Sequence, residues 1–386
     1  MFNQKLINKF KNIPTPFYYY DVELLKKTLQ HLKEVSQKYN YHVHYAFKAN
    51  SNDQILKTIK EYGIGADCVS GNEVKKAIKV GFKPGHIVFA GVGKSDDEII
   101  TGLKNDIFSF NCESSQELQV INDLAAKQNK KARIALRINP NVAADAHHHT
   151  TTGLDDNKFG ISLSEISEVI KLLKKLKNIE FIGLHFHIGS GTRGLESFKN
   201  LCVKVNEIQK WFISHHIKVK HLNMGGGLGI DYMHPDEKPI PEFEDFLKIY
   251  HNFLEVQPGQ QVHFELGRTI VAQCGSLISK VLYTKKMTNT HFVILDAGMN
   301  DLIRPMLYQA YHKIENISAG NKKPVTKYDV VGPICESTDC FQKAVALPAT
   351  KRGDLIAIRS AGAYGEVMAS DYNLRDRAKA IYSNEI

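Results

Sequence analysis

Eight short β-rich runs alternate with segments of helical period through the first 265 residues, and this alternation constrains the fold more tightly than any composition figure. The runs are Val43–Phe47, Ile64–Cys68, His86–Ala90, Ile107–Asn111, Arg133–Ile138, Phe181–His187, Val219–Met224 and Val262–Glu265. Between them, apolar residues recur three and four apart, as in DQILKTIKEY (53–62) and SEISEVIKLLKKL (164–176). Parallel strands need a crossover, and a helix is the usual one. Eight such alternations therefore predict a (β/α)8 barrel of the TIM type in an α/β chain. A helix over Val22–Tyr39 precedes the first strand, with Asp21 as its N-cap and Leu24, Leu25, Leu29, Leu32 and Val35 as its apolar stripe.

After about residue 270 the helical period fades. Ser276–Tyr283, His291–Leu295, Tyr328–Val331, Cys340–Leu347 and Asp354–Arg359 read as strands separated by turn residues. They predict a C-terminal, mostly antiparallel β domain, and the strand-like run Thr15–Tyr20 is expected to cross over and join it. The expected division is a barrel over 22–268 and a β domain over 269–386, with 1–21 attached to the latter.

Composition narrows the function classes. The chain of 386 residues is 43% hydrophobic and 24% charged, a globular mix that can bury a sizeable core and excludes wholesale disorder. No apolar run approaches the ~20 residues of a membrane helix, so no membrane partner is expected. The opening MFNQKLINKFKNIPTPFYYY has no apolar core or small-residue cleavage site, so it does not read as a secretory signal. Its basic, acid-free character up to Asp21 leaves a transit peptide as the alternative. The net charge of +9 is spread along helical stretches such as SEVIKLLKKLKN (167–178), which reads as a solvated face attractive to anionic substrates rather than a nucleic-acid site. Six cysteines, at 68, 112, 202, 274, 335 and 340, form no CxxC and have no histidines at ligand spacing. Neither a metal nor a disulfide scaffold is expected, and reduced thiols fit a cytoplasmic enzyme.

Barrel chemistry gathers where strands end. The first run ends in Phe-Lys-Ala-Asn (47–50), the fifth in Arg-Ile-Asn-Pro (137–140), the sixth in His-Phe-His-Ile-Gly-Ser-Gly (185–191), the seventh in Asn-Met-Gly-Gly-Gly-Leu-Gly (223–229) and the eighth in Phe-Glu-Leu-Gly-Arg (264–268). Lys48 alone reads as an exposed strand-end lysine; in an apolar, positioned site it becomes a Schiff-base lysine. The glycines at 225–227 read alone as a loop cluster, and at this rim as a phosphate cradle, because glycine lets backbone N–H groups approach an anion. With Gly267 and Arg268 after the eighth run they match the usual barrel phosphate site. A rim lysine plus a phosphate site suggests pyridoxal phosphate. His187 then stacks on the cofactor ring, and Glu265 holds a proton on the pyridine nitrogen.

At these residues the chain resembles the fold-type III pyridoxal-phosphate decarboxylases, from about Tyr18 to Asn373. The motifs that carry the resemblance are YAFKAN (45–50), GADCVSGNEV (65–74), NPNVAADAHHHTTTGLDDNKFGI (139–161), GLHFHIGSG (183–191), GGGLG (225–229), ELGR (265–268), DAGMNDLIRPMLYQAYH (296–312), GPICESTD (332–339) and AGAYGEVMASDYN (361–373). The resemblance implies pyridoxal 5'-phosphate as cofactor and loss of CO2 from meso-2,6-diaminopimelate to give L-lysine. It implies that Lys48 forms the Schiff base, that His187 stacks on the ring, and that Ser190, Gly227, Gly267 and Arg268 contact the phosphate. Glu265 meets the ring nitrogen. Arg268, Arg304 and Tyr308 bind substrate carboxylate, Cys335 donates a proton, Glu336 takes the distal ammonium, and Tyr364 contacts cofactor and substrate. It further implies a homodimer in which the Cys335–Glu336 loop reaches the partner's barrel. Gly191 and Leu266 depart from the usual HIGSQ and EPGR patterns and put loop detail and phosphate affinity in question. Ornithine, arginine or carboxynorspermidine as substrate is the alternative on the same fold; DAGMNDLIRP (296–305) argues against it. A catalytically dead, partner-binding relative is a further alternative, against which Lys48, Cys335 and the intact glycine loops argue.

Overall fold

A computed structural model describes residues 2–142, 157–192 and 194–386. The His147–His149 triplet, and with it residues 143–156 of the 139–161 motif, lie outside the described residues. Two compact units form: one from Leu29–Gly229 and Glu242–Arg268, the other from Met1–Thr28, Ile230–Pro241 and Thr269–Ile386.

After β1 (Phe17–Tyr20), eight parallel strands close on themselves in chain order: β2 (Tyr41–Ala46), β3 (Gly65–Cys68), β4 (Ile87–Phe89), β5 (Ser109–Cys112), β6 (Ala132–Arg137), β7 (Ile179–His185), β8 (His221–Asn223) and β9 (Gln261–Leu266). Each overlaps an expected run. The ring closes where β2 meets β9, with Tyr41 to Tyr45 beside Val262 to Leu266. The expected (β/α)8 barrel is therefore what the chain forms. The helix before β2 spans Val22–Lys38, and Asp21 caps it by accepting the Leu24 N–H at 2.9 Å. The helix expected over 164–176 is shorter, Ile166–Leu173, because a capping box between Ser162 and Glu165 makes Leu163–Glu165 a 3-10 turn.

Alternate residues of a strand face the same side, so the barrel interior is built in layers two residues apart. The lower layer is a chain of neutral histidines. His221 Nδ1–H donates to His263 Nε2 at 3.2 Å, His263 Nδ1–H to His44 Nε2 at 3.0 Å, and His44 Nδ1–H to the His86 carbonyl at 3.1 Å. Phe108 stacks on His263 at 5.2 Å. Glycines make the room: a Cβ on Gly65 would sit 2.5 Å from His44 Nδ1, and one on Gly183 would strike the His221 carbonyl. One layer up, toward the strand ends, come Asp67, Asn111, His185, Asn223 and Glu265, each two residues beyond Gly65, Ser109, Gly183, His221 and His263.

In the other unit, an eight-stranded sheet runs β12 (Ile314–Asn316), β15 (Leu355–Ile358), β10 (Gly275–Lys286), β11 (His291–Leu295), β13 (Thr326–Val331) and β14 (Cys340–Leu347), with β1 on β10 and β16 (Lys379–Tyr382) on β1. The β11–β13 and β1–β16 pairs are parallel and the rest antiparallel, so the expected mostly antiparallel domain is present. The N-terminal strand joins it as expected, for a hydrophobic reason: Phe10, Phe17 and Tyr19 pack with Ile278, Ile317 and Leu355 in one buried cluster. The helix Gln4–Phe10 and the short strands β12 and β16 were not foreseen. No helix among the described residues is long and apolar enough to cross a membrane.

Burial holds His44 and His221 down at about 4, and His263 also well below its usual value. These rings stay neutral in the folded chain but take up protons on unfolding once the pH is below the ordinary histidine value of 6.5. Their contribution is thus complete above pH 6.5 and is lost as the pH falls toward 4. Urea unfolding at stepped pH is expected to show stability falling by about 1.4 kcal/mol per pH unit for each such proton. Gly183→Ala, which pushes on His221, should cost a further ~1–3 kcal/mol at pH 7.

Candidate active site

β2 ends in a 3-10 turn, Phe47–Ala49, that lifts Lys48 out of the barrel wall. Its side chain is 41% exposed, and Nζ lies 3.6 Å from Asp67 Oδ2 on β3. Asp67 is fully buried, and among the described residues this lysine is the cation beside it, at a distance longer than a normal hydrogen bond. Burial, reinforced by the charge of Glu265, pushes its pKa well above the usual aspartate value, and Lys48 offsets this in part.

Glu265 is treated oppositely. Its Oε1 accepts Asn111 Nδ2 at 2.9 Å and Asn223 Nδ2 at 2.6 Å, and its Oε2 accepts His185 Nε2 at 2.9 Å. Burial alone would raise its pKa. The adjacent His185, by charge and hydrogen bond, and then Lys48 outweigh that and hold the carboxyl below its usual range. His187, two residues beyond His185, is half-buried; its Nδ1 accepts the Gly226 N–H at 3.3 Å, and burial, then the charge of Lys48, keep its pKa well below 6.5.

The loops after β7 and β8 are tied together, because the Gly227 carbonyl accepts the N–H groups of Gly191 and Thr192 at 3.0 and 2.9 Å. Gly225 and Gly227 have φ of +68° and +108°. A Cβ on Gly226 would strike the Glu265 carbonyl, and one on Gly227 would lie 2.6 Å from the Gly189 carbonyl. Gly267 passes close to the lysine turn, where its Cβ would lie 3.0 and 3.1 Å from those of Ala46 and Ala49. Arg268 is buried and donates through Nε and Nη2 to Ser190 Oγ at 3.4 and 3.2 Å. The two departures from the family pattern are accommodated. Gly191 sits at φ +90° in open space, and Leu266 continues β9 opposite Tyr45. Lys48, His187, Ser190, Gly227, Glu265 and Gly267 belong to strand ends or the turns and loops that follow them at the same barrel rim, and Arg268 opens the short helix Arg268–Val271 directly after β9.

The remaining expected residues belong to the other unit. Arg304 and Tyr308 lie one turn apart on the short helix Arg304–Tyr308. Arg304 is 5% exposed, donates from Nη1 to His312 Nε2 at 2.8 Å, and lies over the Tyr232 ring. His312 is turned for this by donating Nδ1–H to the Arg359 carbonyl at 2.8 Å. Cys335 and Glu336 are exposed on a turn built by Asp339, which accepts the N–H groups of Ile334 and Met299 at 2.7 and 2.8 Å. Asn373 Oδ1 accepts the Cys335 N–H at 3.0 Å, and Tyr372 donates its hydroxyl to Glu336 at 2.5 Å. Tyr364 is half-buried and holds a φ of +56°.

A sequence profile described as "Pyridoxal-dependent decarboxylase, pyridoxal binding domain" matches residues 23–272. The chain belongs to the pyridoxal-dependent decarboxylases. This decarboxylase is 56% identical over 381 residues, 98% of each chain, to diaminopimelate decarboxylase of Bacteroides thetaiotaomicron. A crystal structure of diaminopimelate decarboxylase from Helicobacter pylori complexed with L-lysine is 41% identical, covers 98% of this chain and 94% of that one, and superposes with a TM-score of 0.91. One from M. jannaschii in co-complex with L-lysine is 34% identical, covers 98% and 89%, and gives 0.89. The sequence resemblance thus holds at the level of the whole chain.

The family's cofactor, pyridoxal phosphate, fits the residues present. A carboxylate offers about four acceptor positions. Three protein donors fill all but one on Glu265, and a buried, ionised acceptor suits a protonated ring nitrogen. The glycine loops after β7 and β8, with Ser190 and Arg268, suit a phosphate.

The sequence reading missed Asp67, Asn111, His185, Asn223, His312 and Asp339. The signal was available: each barrel residue stands two positions from another inward residue, but register across strands is needed to see that they meet. Also unforeseen is a buried ion pair at the ends of β5 and β6. Glu113 accepts Arg137 Nη1 at 2.8 Å, and also the N–H groups of Gly91 at 3.2 Å and Gly160 at 2.9 Å. Arg137→Met leaves that carboxylate buried and is expected to cost about 3–5 kcal/mol in urea unfolding, while Arg137→Met with Glu113→Gln should recover most of it.

Proposed function

We propose that this decarboxylase removes the carboxylate from one end of meso-2,6-diaminopimelate, yielding L-lysine and CO2. The observation that carries the reading is the buried, ionised Glu265 on the Lys48 rim, in a chain 56% identical end to end to a diaminopimelate decarboxylase. Bound pyridoxal phosphate supplies an electron sink for the pair left when CO2 departs.

The chain's own residues divide the remaining work. Lys48 would hold the cofactor covalently, with Asp67 at 3.6 Å keeping the amine at the rim. Glu265 retains a proton on the ring nitrogen, and His187 supports the ring face. Ser190, Gly227, Gly267 and Arg268 hold the phosphate. Diaminopimelate carries a full amino acid at each end, so a second carboxylate needs a guanidinium fork, which Arg304 and Arg268 supply with Tyr308. Glu336 takes the distal ammonium, Tyr364 contacts both cofactor and substrate, and the Cys335 thiol delivers the proton that replaces the carboxylate. Region 22–268 is read as the cofactor-binding barrel and 269–386, with 1–21, as the β domain, with Arg268 and Tyr364 each serving both cofactor and substrate. The exposed Cys335–Glu336 turn is read as serving the partner's barrel in a homodimer, and six free thiols are in keeping with a cytoplasmic setting.

Purified protein supplied with pyridoxal phosphate is expected to release CO2 from meso-diaminopimelate, and not from ornithine, arginine or carboxynorspermidine. Release from one of the latter instead overturns the substrate reading. Arg304→Ala should raise KM by the equivalent of roughly 2–5 kcal/mol in binding. Cys335→Ala should lower kcat by about 10²–10⁴-fold with KM little changed, as expected on losing a positioned proton donor.

A further inference from the structure

Glu265 is held by residues to which nothing so far gives a part in the reaction. We propose that His185, together with Asn111 and Asn223, is a positioning residue: its Nε2–H fixes the Glu265 carboxylate and leaves Oε2 as the oxygen with an acceptor position for the cofactor's ring nitrogen. The proposal rests on the reading that the ring nitrogen meets Glu265.

The donor count argues for it. Asn111 and Asn223 both donate to Oε1, from β5 and β8, and so fill its two acceptor positions. His185, the last residue of β7, is the one protein donor to Oε2 among the described residues. An ionised carboxylate only accepts, so the proton of this bond is on Nε2. The His185 side chain is 1% exposed and that of Glu265 5%, so water does not compete for the bond. Three strands thus converge on one side chain of a fourth, and the carboxylate can neither rotate nor re-pair without breaking a buried hydrogen bond.

The neighbourhood explains why such a clamp is needed. Glu265 shares the barrel interior with a second buried carboxyl, Asp67, and the titratable groups that act on the pair are Lys48, His187, His185, His44, His263 and Glu73. Two buried carboxyls near one lysine compete for a proton. Glu265 is held by three short hydrogen bonds, whereas Asp67 has only the longer 3.6 Å contact with Lys48 among the described residues, and this difference decides the competition in favour of an ionised Glu265. Without the His185 bond the balance moves toward protonating Glu265, and a protonated Glu265 is a poor partner for a protonated ring nitrogen. His185 is also two residues from His187 on the same strand end, so the residue that orients the acid is rigidly spaced from the one assigned to the ring face.

The test compares His185→Leu, which removes the donor, His185→Gln, whose amide can restore an N–H near Nε2, and Glu265→Gln. Three quantities are read: the affinity of the cofactor-free protein for pyridoxal phosphate by absorbance titration, the absorption spectrum of the bound cofactor, and kcat and KM separately. His185→Leu is expected to lower kcat and cofactor affinity by roughly ten- to a hundredfold, the usual scale for losing the hydrogen-bond partner of a functional group, with KM within about twofold. Its bound-cofactor spectrum should shift in the same sense as that of Glu265→Gln, and His185→Gln should recover most of the loss in all three readouts. Wild-type kcat and cofactor affinity in His185→Leu, with Glu265→Gln impaired, overturns the proposal. So does a His185→Gln variant no better than His185→Leu. Wild-type behaviour of Glu265→Gln overturns instead the reading that the ring nitrogen meets Glu265.

Discussion

Closure of the barrel between β2 and β9 is the constraint on which the rest depends. These are the first and last barrel strands in sequence, and their pairing sets Tyr41 to Tyr45 beside Val262 to Leu266. That register brings the lysine turn after β2 against Gly267, and it puts Glu265 in the same layer as groups from β3, β5, β7 and β8. A slip of one residue would send every inward side chain to the helix layer. Elsewhere in the ring, the glycines at 65 and 183 show how tightly β3 sits on β2 and β7 on β8, since each lies where a neighbouring backbone or ring leaves no room for a Cβ.

Within the closed barrel, two carboxyls of the same kind are driven apart by their surroundings. Burial raises Asp67, which Lys48 at 3.6 Å offsets only in part. Glu265 is as deeply placed, yet three donors and the nearby cations hold it ionised. Separating the protonation states of paired groups is a common way for a site to assign an acid and a base within one cavity. The histidine layer beneath them is neutral throughout, so the negative charge of Glu265 rests on an uncharged floor and looks toward the Lys48 rim.

Much of this was legible from residues alone. The alternation of period 2 and period 3.6 located every barrel strand, and the strand ends carried the lysine, glycines, histidine and glutamate of the rim. The crossover of Thr15–Tyr20 to the second sheet was legible from its strand character, and the packing of Phe10, Phe17 and Tyr19 against Ile278 and Leu355 supplies the cause. The seven-residue helix Gln4–Phe10 escaped notice because a helix this short is held by tertiary packing more than by its own period.

What the sequence determined by itself is the order of elements and the kind of chemistry at each strand end, because periodicity and strand-end composition are local. What only the tertiary structure decided is which inward side chains share a layer. Asn111, His185 and Asn223 are separated from Glu265 by 154, 80 and 42 residues, and nothing local distinguishes them from other polar strand residues. Their meeting depends on ring closure and on relative strand register, which are properties of all eight strands together. The ionisation of Glu265 follows from that meeting, so its functional state belongs to the fold rather than to the residue.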